Sequence, residues 1–282
     1  MNVFLIAAPS ALQQALCHWF EMRGRAFQQV LPAAVPELGQ SDLAGSIVVE
    51  IATLDAFQRG QELALSGDDR HGLLDQARLA GAPVLFLSDG RVFDGDYAPI
   101  NHREADKVQP GSIPGARLAA VEHLLERQLE QYLVLRTGPL FSEVGDNFFT
   151  GLFADLVRGG EIALNSGLKT CPTHVADLAR VVSAVVDQIS CGAQNWGSYH
   201  YNSSGQTSAY EFTEVMLAFA SQQLDLEKRK TSLRSAEAGQ RIEPAVPVLR
   251  CEKILHDFGI KQLPWRSYLP QPIKVLCEAK QK

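Results

Sequence analysis

The chain opens on an unbroken apolar run, VFLIAA (residues 3–8), which predicts a strand buried on both faces. Pro9 and Ser10 interrupt it, and ALQQALCHWFEMRG follows with apolar residues at helical spacing. Ser10 with Gln13 three residues later fits a capping box, and Gly24 suits the end of that helix. AFQQVLP and SIVVEIA predict two further strands. GDDRHGLLDQARLAG reads as an amphipathic helix leading into a strand, PVLFLSDGRVF (residues 83–93). A polar loop, DGDYAPINHREADKVQP, then runs to the breakers Pro110, Gly111, Pro114 and Gly115 and a long helix from Ala116. QYLVLRTGPLF gives another strand, FFTGLFADLVRGG another helix, and SLRSAEAGQRIEPAVPV an irregular loop. Strands alternating with helices of this length predict an α/β fold around a doubly wound parallel sheet. The β–turn–α–β opening is where such a sheet holds the pyrophosphate of a dinucleotide.

Composition narrows this picture. The 282 residues are 46% hydrophobic and 21% charged, enough for one large α/β domain with an added lobe. A net charge of −6 argues against a nucleic-acid or anionic-membrane partner, since both need a basic face. No apolar run reaches the roughly 20 residues that span a bilayer, and the N-terminus lacks the basic region of a signal peptide. Five cysteines at unrelated spacings, none in a Cys-x-x-Cys, predict neither a disulfide framework nor a metal site, so a reducing cytoplasm is expected.

The residues after the 83–93 strand resemble the catalytic segment of the extended short-chain dehydrogenase/reductases, the dTDP-4-dehydrorhamnose reductases in particular. Arg136-Thr137, Gly145 with Asn147 and Phe148, Pro172-Thr173 with Asp177, Leu178 and Ala179, and the closing Lys253, Gly259, Trp265 and Leu269 extend the resemblance over nearly the whole chain. It implies a Rossmann-like domain over 1–160, with a returning segment at about 170–195. A small C-terminal α/β substrate lobe over 196–282 would interleave with it.

The resemblance fails where that family does chemistry. Its Gly-x-x-Gly-x-x-Gly turn falls on Ala7, Ser10 and Gln13, and no glycine precedes Gly24. Ala7, Ser10, Ala11 and Leu12 are the candidate cofactor contacts that remain, through helix N–H groups that do not depend on glycine. Without the glycines, ordinary tight NAD(P) binding is not expected. Arg23 or Arg25 would be the residues to meet an NADP phosphate, although solvated arginines are the simpler expectation. Glu50, near the end of a strand, would repel a pyrophosphate unless turned away. The family's Ser-Thr-Asp-Tyr-Val-Phe becomes Ser88-Asp89-Gly90-Arg91-Val92-Phe93, so Asp89 stands at the carbonyl-polarising threonine. Tyr-x-x-x-Lys becomes Ile113 and Arg117, and none of the six tyrosines has a lysine four residues on. Ser88, Asn147 and Arg136 are the substrate-binding candidates the resemblance carries over.

Tyr97, His102 and Asp89 are the nearby groups that a replacement proton donor would come from; each is expected to be a loop residue facing water. Arg117 is expected on the helix surface near Glu122 or Glu104, His174 at a helix cap, and Cys171 in a buried turn. Matches at fold-building residues and mismatches at chemical ones predict a non-catalytic relative that binds or regulates through a retained cleft or surface. The regulatory subunit of methionine adenosyltransferase is the precedent, and a partner protein, a homodimer or a nucleotide ligand would fit. The alternatives are an NAD(P)-dependent sugar-nucleotide reductase or epimerase with a non-standard proton donor, and a structural assembly subunit.

Overall fold

A computed structural model describes residues 1–58, 60–61, 65–95, 101–226 and 228–281. β1 (Asn2–Ile6) leads into α1 (Ala11–Met22), whose N-cap is Ser10 and whose exit is Gly24 at φ 61°. β2 (Phe27–Val30), a short α2 (Gln40–Leu43) and β3 (Ser46–Glu50) follow, then α3 (Ala52–Gln58) and α4 (Gly67–Ala80). β4 (Val84–Asp89) is joined by a long connection to α5 (Ile113–Gln128), which returns the chain to β5 (Tyr132–Thr137). Beyond lie β6 (Leu140–Phe141), α6 (Phe148–Arg158), β7 (Glu161–Asn165), β8 (Thr173–His174), α7 (Val175–Ser190) and β9 (Gly197–Tyr201). The chain finishes with α8 (Ala209–Ala220), β10 (Ser232–Ala236), α9 (Glu252–Phe258) and α10 (Pro270–Gln281).

The strand order β2-β1-β3-β4-β5-β9, all parallel, makes one six-stranded sheet. Strand periodicity sends alternate residues to opposite faces. Val3, Leu5, Val49, Leu87 and Leu135 pack on α1 and α7, while Phe4, Val48, Phe86 and Val134 pack on α4 and α5. Covering both faces explains why these strands read as continuous apolar runs. A third apolar cluster, built on Phe141, Phe149, Leu164, Phe212 and Trp265, belongs to the lobe. The chain leaves β1 toward β2 on one side and β3 on the other, so the crevice at the carboxyl ends of β1 and β3 is the topological switch point.

Three elements differ from the sequence reading. The 83–93 strand stops at Asp89, whose carboxylate accepts from the Arg91 N–H and turns residues 90–93 into a 3-10 helix. Residues 232–236, read as loop, form β10 and pair with β7; their alternation is polar and mostly exposed, so no apolar period marks them. β9, read as part of the lobe, is the sixth strand of the main sheet, registered through His200 opposite Arg136. We propose that the lobe boundary follows the apolar clusters. β9 and α9 then go with the large domain, because Tyr199, Tyr201, Ile254 and Phe258 share its core.

Asp177 shows why the Pro-Thr-x-x-x-Asp motif is architectural. It is fully buried, and its carboxylate accepts from Arg180, the Tyr201 hydroxyl at 2.7 Å, Ser203 and Tyr268. One carboxylate thus ties α7, β9 and the C-terminal segment together. α7 itself begins after His174, whose Nδ1 accepts from the Ala176 N–H. All five cysteines are unbridged, and burial pushes the Cys171 thiol up to about 12. Among the described residues no helix is long and apolar enough to cross a membrane.

Candidate functional site

A cavity of about 280 Å³ opens at the switch point. Ser10, Ala11 and Leu12 at the start of α1 line it, with Asp55 of α3, Asn147 at the start of α6 and Val175 at the start of α7. Three helix N-termini therefore converge on one space, and each presents N–H groups that have no partner within its helix. Ser10 accepts from the Gln13 N–H at 3.0 Å and donates to Asp55 Oδ2 at 2.5 Å. Ala7 is fully buried, its N–H bonded to the Val30 carbonyl, and it forms the floor rather than the lining. Half of the expected capping box is missing. The Gln13 carboxamide turns away from Ser10 to Cys17 Sγ and to Gln29 Oε1 of β2, both at 3.0 Å.

These residues fit a dinucleotide unevenly. The α1 terminus suits its diphosphate, because the first-turn N–H groups of Ala11 and Leu12 point to the cavity end of the helix. The Gln13–Gln29 bond bridges α1 to β2 on the flank where an adenosine would lie, and Asp55 puts a carboxylate beside Ser10. Glu50 behaves otherwise than expected. It is buried and accepts from Arg70 at 2.9 Å and from Thr53, so its charge is compensated inside the fold. Arg23 and Arg25 both pair with Asp187 of α7; Arg23 stays exposed to solvent as expected, while Arg25 is largely covered.

At the carboxyl end of β4, Ser88 and Asp89 are fully buried, which corrects the expectation that Asp89 faces water. Asp89 holds Arg91 through Nε, at 2.8 and 3.0 Å, and Nη2 at 2.6 Å. Both carboxylate oxygens are thus taken up as acceptors by Arg91. The Ser88 hydroxyl has no hydrogen-bond partner among the described residues. His102 also is buried rather than in water: it stacks on Phe93, ring centroids 4.5 Å apart, and its backbone pairs with Val248 and Arg250. Tyr97 lies outside the described residues.

Ile113 opens α5 with its side chain 72% exposed, and Arg117 is exposed one turn later. Neither expected partner of Arg117 is available. Glu122 pairs with Arg136, and Glu104 accepts from the His200 N–H at 3.1 Å while burial raises its carboxyl. Arg136 sits under α5, 4% exposed, and lines neither cavity, whereas Asn147 caps α6 in the cavity wall.

A second cavity, of about 170 Å³, lies in the lobe. Lys169 and Arg241 line it with Ala209, Ile242, Val246 and Thr170. Sequence reading named none of these side chains; Lys169 stands three residues before Pro172, and Arg241 falls inside the irregular loop that the resemblance places near a sugar nucleotide.

A doubly wound parallel sheet with a switch-point crevice, accompanied by a second lobe that carries its own cavity, defines an extended Rossmann-type protein. The chain belongs to the RmlD substrate binding domain family, which matches residues 60–277. A dTDP-4-dehydrorhamnose reductase of Sinorhizobium fredii is 25% identical over 234 residues, 80% of this chain and 79% of that relative. The fold is similar to that of the dTDP-4-dehydrorhamnose reductase of Clostridium acetobutylicum, with a TM-score of 0.79 and 20% identity over 98% of this chain and 99% of that one. The enzyme of Bacillus anthracis, solved in complex with NADP, gives 0.77 at 19% identity, covering 97% and 99%.

These relatives overturn the expectation of a non-catalytic binding, regulatory or structural protein. The chain aligns along most of its length with proteins named as reductases, so the altered motifs are not by themselves evidence of lost activity.

Proposed function

We propose that the chain catalyses the NAD(P)-linked reduction or epimerisation of a sugar nucleotide, with a proton source other than a helix tyrosine. The observation that carries this reading is the pair of cavities, one at the switch point and one in the lobe. The names of the relatives favour the same chemistry. In the lobe, Ala209 and Ile242 offer apolar surface for a base, and Lys169 and Arg241 offer two cations for a diphosphate. At the switch point, the N–H groups of Ala11 and Leu12 and the α1 dipole would hold the dinucleotide diphosphate. A nicotinamide bound there would supply hydride to the sugar carbonyl. The Ser88 hydroxyl would donate a hydrogen bond to the carbonyl oxygen, and water would deliver the proton, because neither Ile113 nor Arg117 can.

The test is consumption of NADPH or NADH with dTDP- and UDP-linked 4-keto sugars, alongside calorimetric titration of each dinucleotide. Turnover is expected, slowed about 100-fold by Ser88→Ala, the scale of a lost oxyanion donor. No turnover with any nucleotide 4-keto sugar, together with no saturable dinucleotide binding, would overturn the reading.

A further inference from the structure

Segment 243–249 separates the two cavities. Glu243 and Pro244 line the switch-point cavity, Ala245 to Val248 line the lobe cavity, and the two linings share no residue. Where the segment crosses the end of β4 it lies directly on Gly90. A Cβ added to Gly90 would sit 2.6 Å from Val246 Cγ1 and 3.2 Å from the Pro247 carbonyl oxygen. Gly90 directly follows Ser88 and Asp89, which are fully buried at the end of β4.

The attachments of the segment are uneven. Ile242 at one end is part of the lobe core, and Leu249 at the other is part of the core between the sheet and α5. Val246, midway, is 3% exposed yet lies outside all three apolar clusters. Among the described residues, Thr170 Oγ1 donates to the Val246 carbonyl at 2.8 Å and the His102 N–H donates to the Val248 carbonyl at 2.9 Å, and within the span the Ala245 N–H donates to Glu243 Oε2 at 3.0 Å. The span makes no helix or strand of its own. A segment pinned at both ends, with one side chain set on a glycine and no helix or strand of its own, opens at lower cost than the cores beside it.

We propose that residues 243–249 form a lid in its closed position, with Val246 as the plug over the end of β4, and that a nucleotide in the lobe cavity withdraws it and joins the two cavities. This rests on the functional reading above for the identity of the nucleotide, but the lid itself does not. Closed, the lid keeps hydride donor and acceptor sites apart and shields Ser88; open, it exposes the Ser88 hydroxyl to substrate.

The experiment places a thiol on the plug, Val246→Cys, in a Cys191→Ser background that removes the exposed native thiol, and measures its rate of modification by a maleimide. Adding Thr170→Val, which deletes one anchoring hydrogen bond, is expected to raise that rate about fivefold. Melting temperature and the labelling of the buried native cysteines serve as controls for global unfolding. An unchanged rate, or labelling only in step with the buried cysteines, overturns the lid. dTDP is then titrated. Binding with accelerated modification supports ligand-driven opening, and binding with an unchanged or slower rate overturns it. Absence of dTDP binding counts against the sugar-nucleotide reading, while the Thr170→Val comparison still decides the lid.

Discussion

Glu122 of α5 and Arg136 of β5 form a buried pair beneath the sheet, Oε2 to Nη2 at 2.7 Å and both carboxylate oxygens 3.1 Å from Nε, with side chains 7% and 5% exposed. The guanidinium also lies over the Phe93 ring, 5.0 Å from its centroid. Glu122 is thereby a register pin. It fixes the rotation of α5, and with it where Ile113 and Arg117 stand. Breaking it leaves a buried cation alone, so Glu122→Gln is expected to cost about 3 kcal/mol in urea unfolding, the scale for removing one partner of a buried pair. A loss below about 1 kcal/mol would remove its role as a pin.

The neighbour of that pair, His200, sets a pH limit. Burial first, and the Arg136 guanidinium second, hold the imidazole well below its usual range. In the unfolded chain it takes a proton near pH 6.5, in the folded chain only much lower, so folding is opposed increasingly as pH falls below about 6.5. Stability is expected to be level above that point and to decline beneath it, and His200→Phe should flatten that part of the profile. An unchanged slope in the variant would show that other groups carry it.

Gly115 reverses the ordinary rule for helices. Ala is normally the better helix residue by about 1 kcal/mol, but here a Cβ would overlap the Arg91 carbonyl oxygen, where α5 packs on the turn after β4. Gly115→Ala is expected to destabilise by about 1–3 kcal/mol. A more stable variant in thermal unfolding would mean the turn yields.

The cofactor cavity offers a gain-of-binding test. Asp55→Asn removes a carboxylate beside Ser10, and Gln13→Gly removes the bridge to Gln29. Each is expected to tighten NADPH about tenfold by calorimetry, equivalent to about 1.4 kcal/mol. Weaker binding by either variant would place the dinucleotide elsewhere.

In the lobe, Lys169→Ala is expected to weaken dTDP about tenfold, within the range of one charge-assisted hydrogen bond. Since Lys169 already pairs with Glu211 at 2.6 Å, Glu211→Gln should act in the opposite direction. Equal affinities throughout would remove Lys169 from the diphosphate site.

The apolar runs of β1, β3, β4 and β5 made the central strands of the parallel sheet legible, because strands covered on both faces are apolar along most of their length; β2 (FQQV) and β9 (GSYHY), at its edges, carry no such run. Ser10 as a helix cap and the absence of glycine before Gly24 were equally legible, since both are local facts of the chain. Only the tertiary structure decided what the charged residues do. Arg23 and Arg25 meet Asp187, Glu50 meets Arg70, and Asp89 meets Arg91, so groups that looked like ligand contacts or solvated charges are fold contacts. The first three pairings join residues at least 20 positions apart; the last joins residues two apart but depends on the turn that ends β4. A period read along one strand carries no information about such partners. The same reason hid the lobe cavity and the segment over Gly90. Lys169, Arg241 and Val246 come together only when β7, the residues before β8 and the stretch after β10 pack side by side.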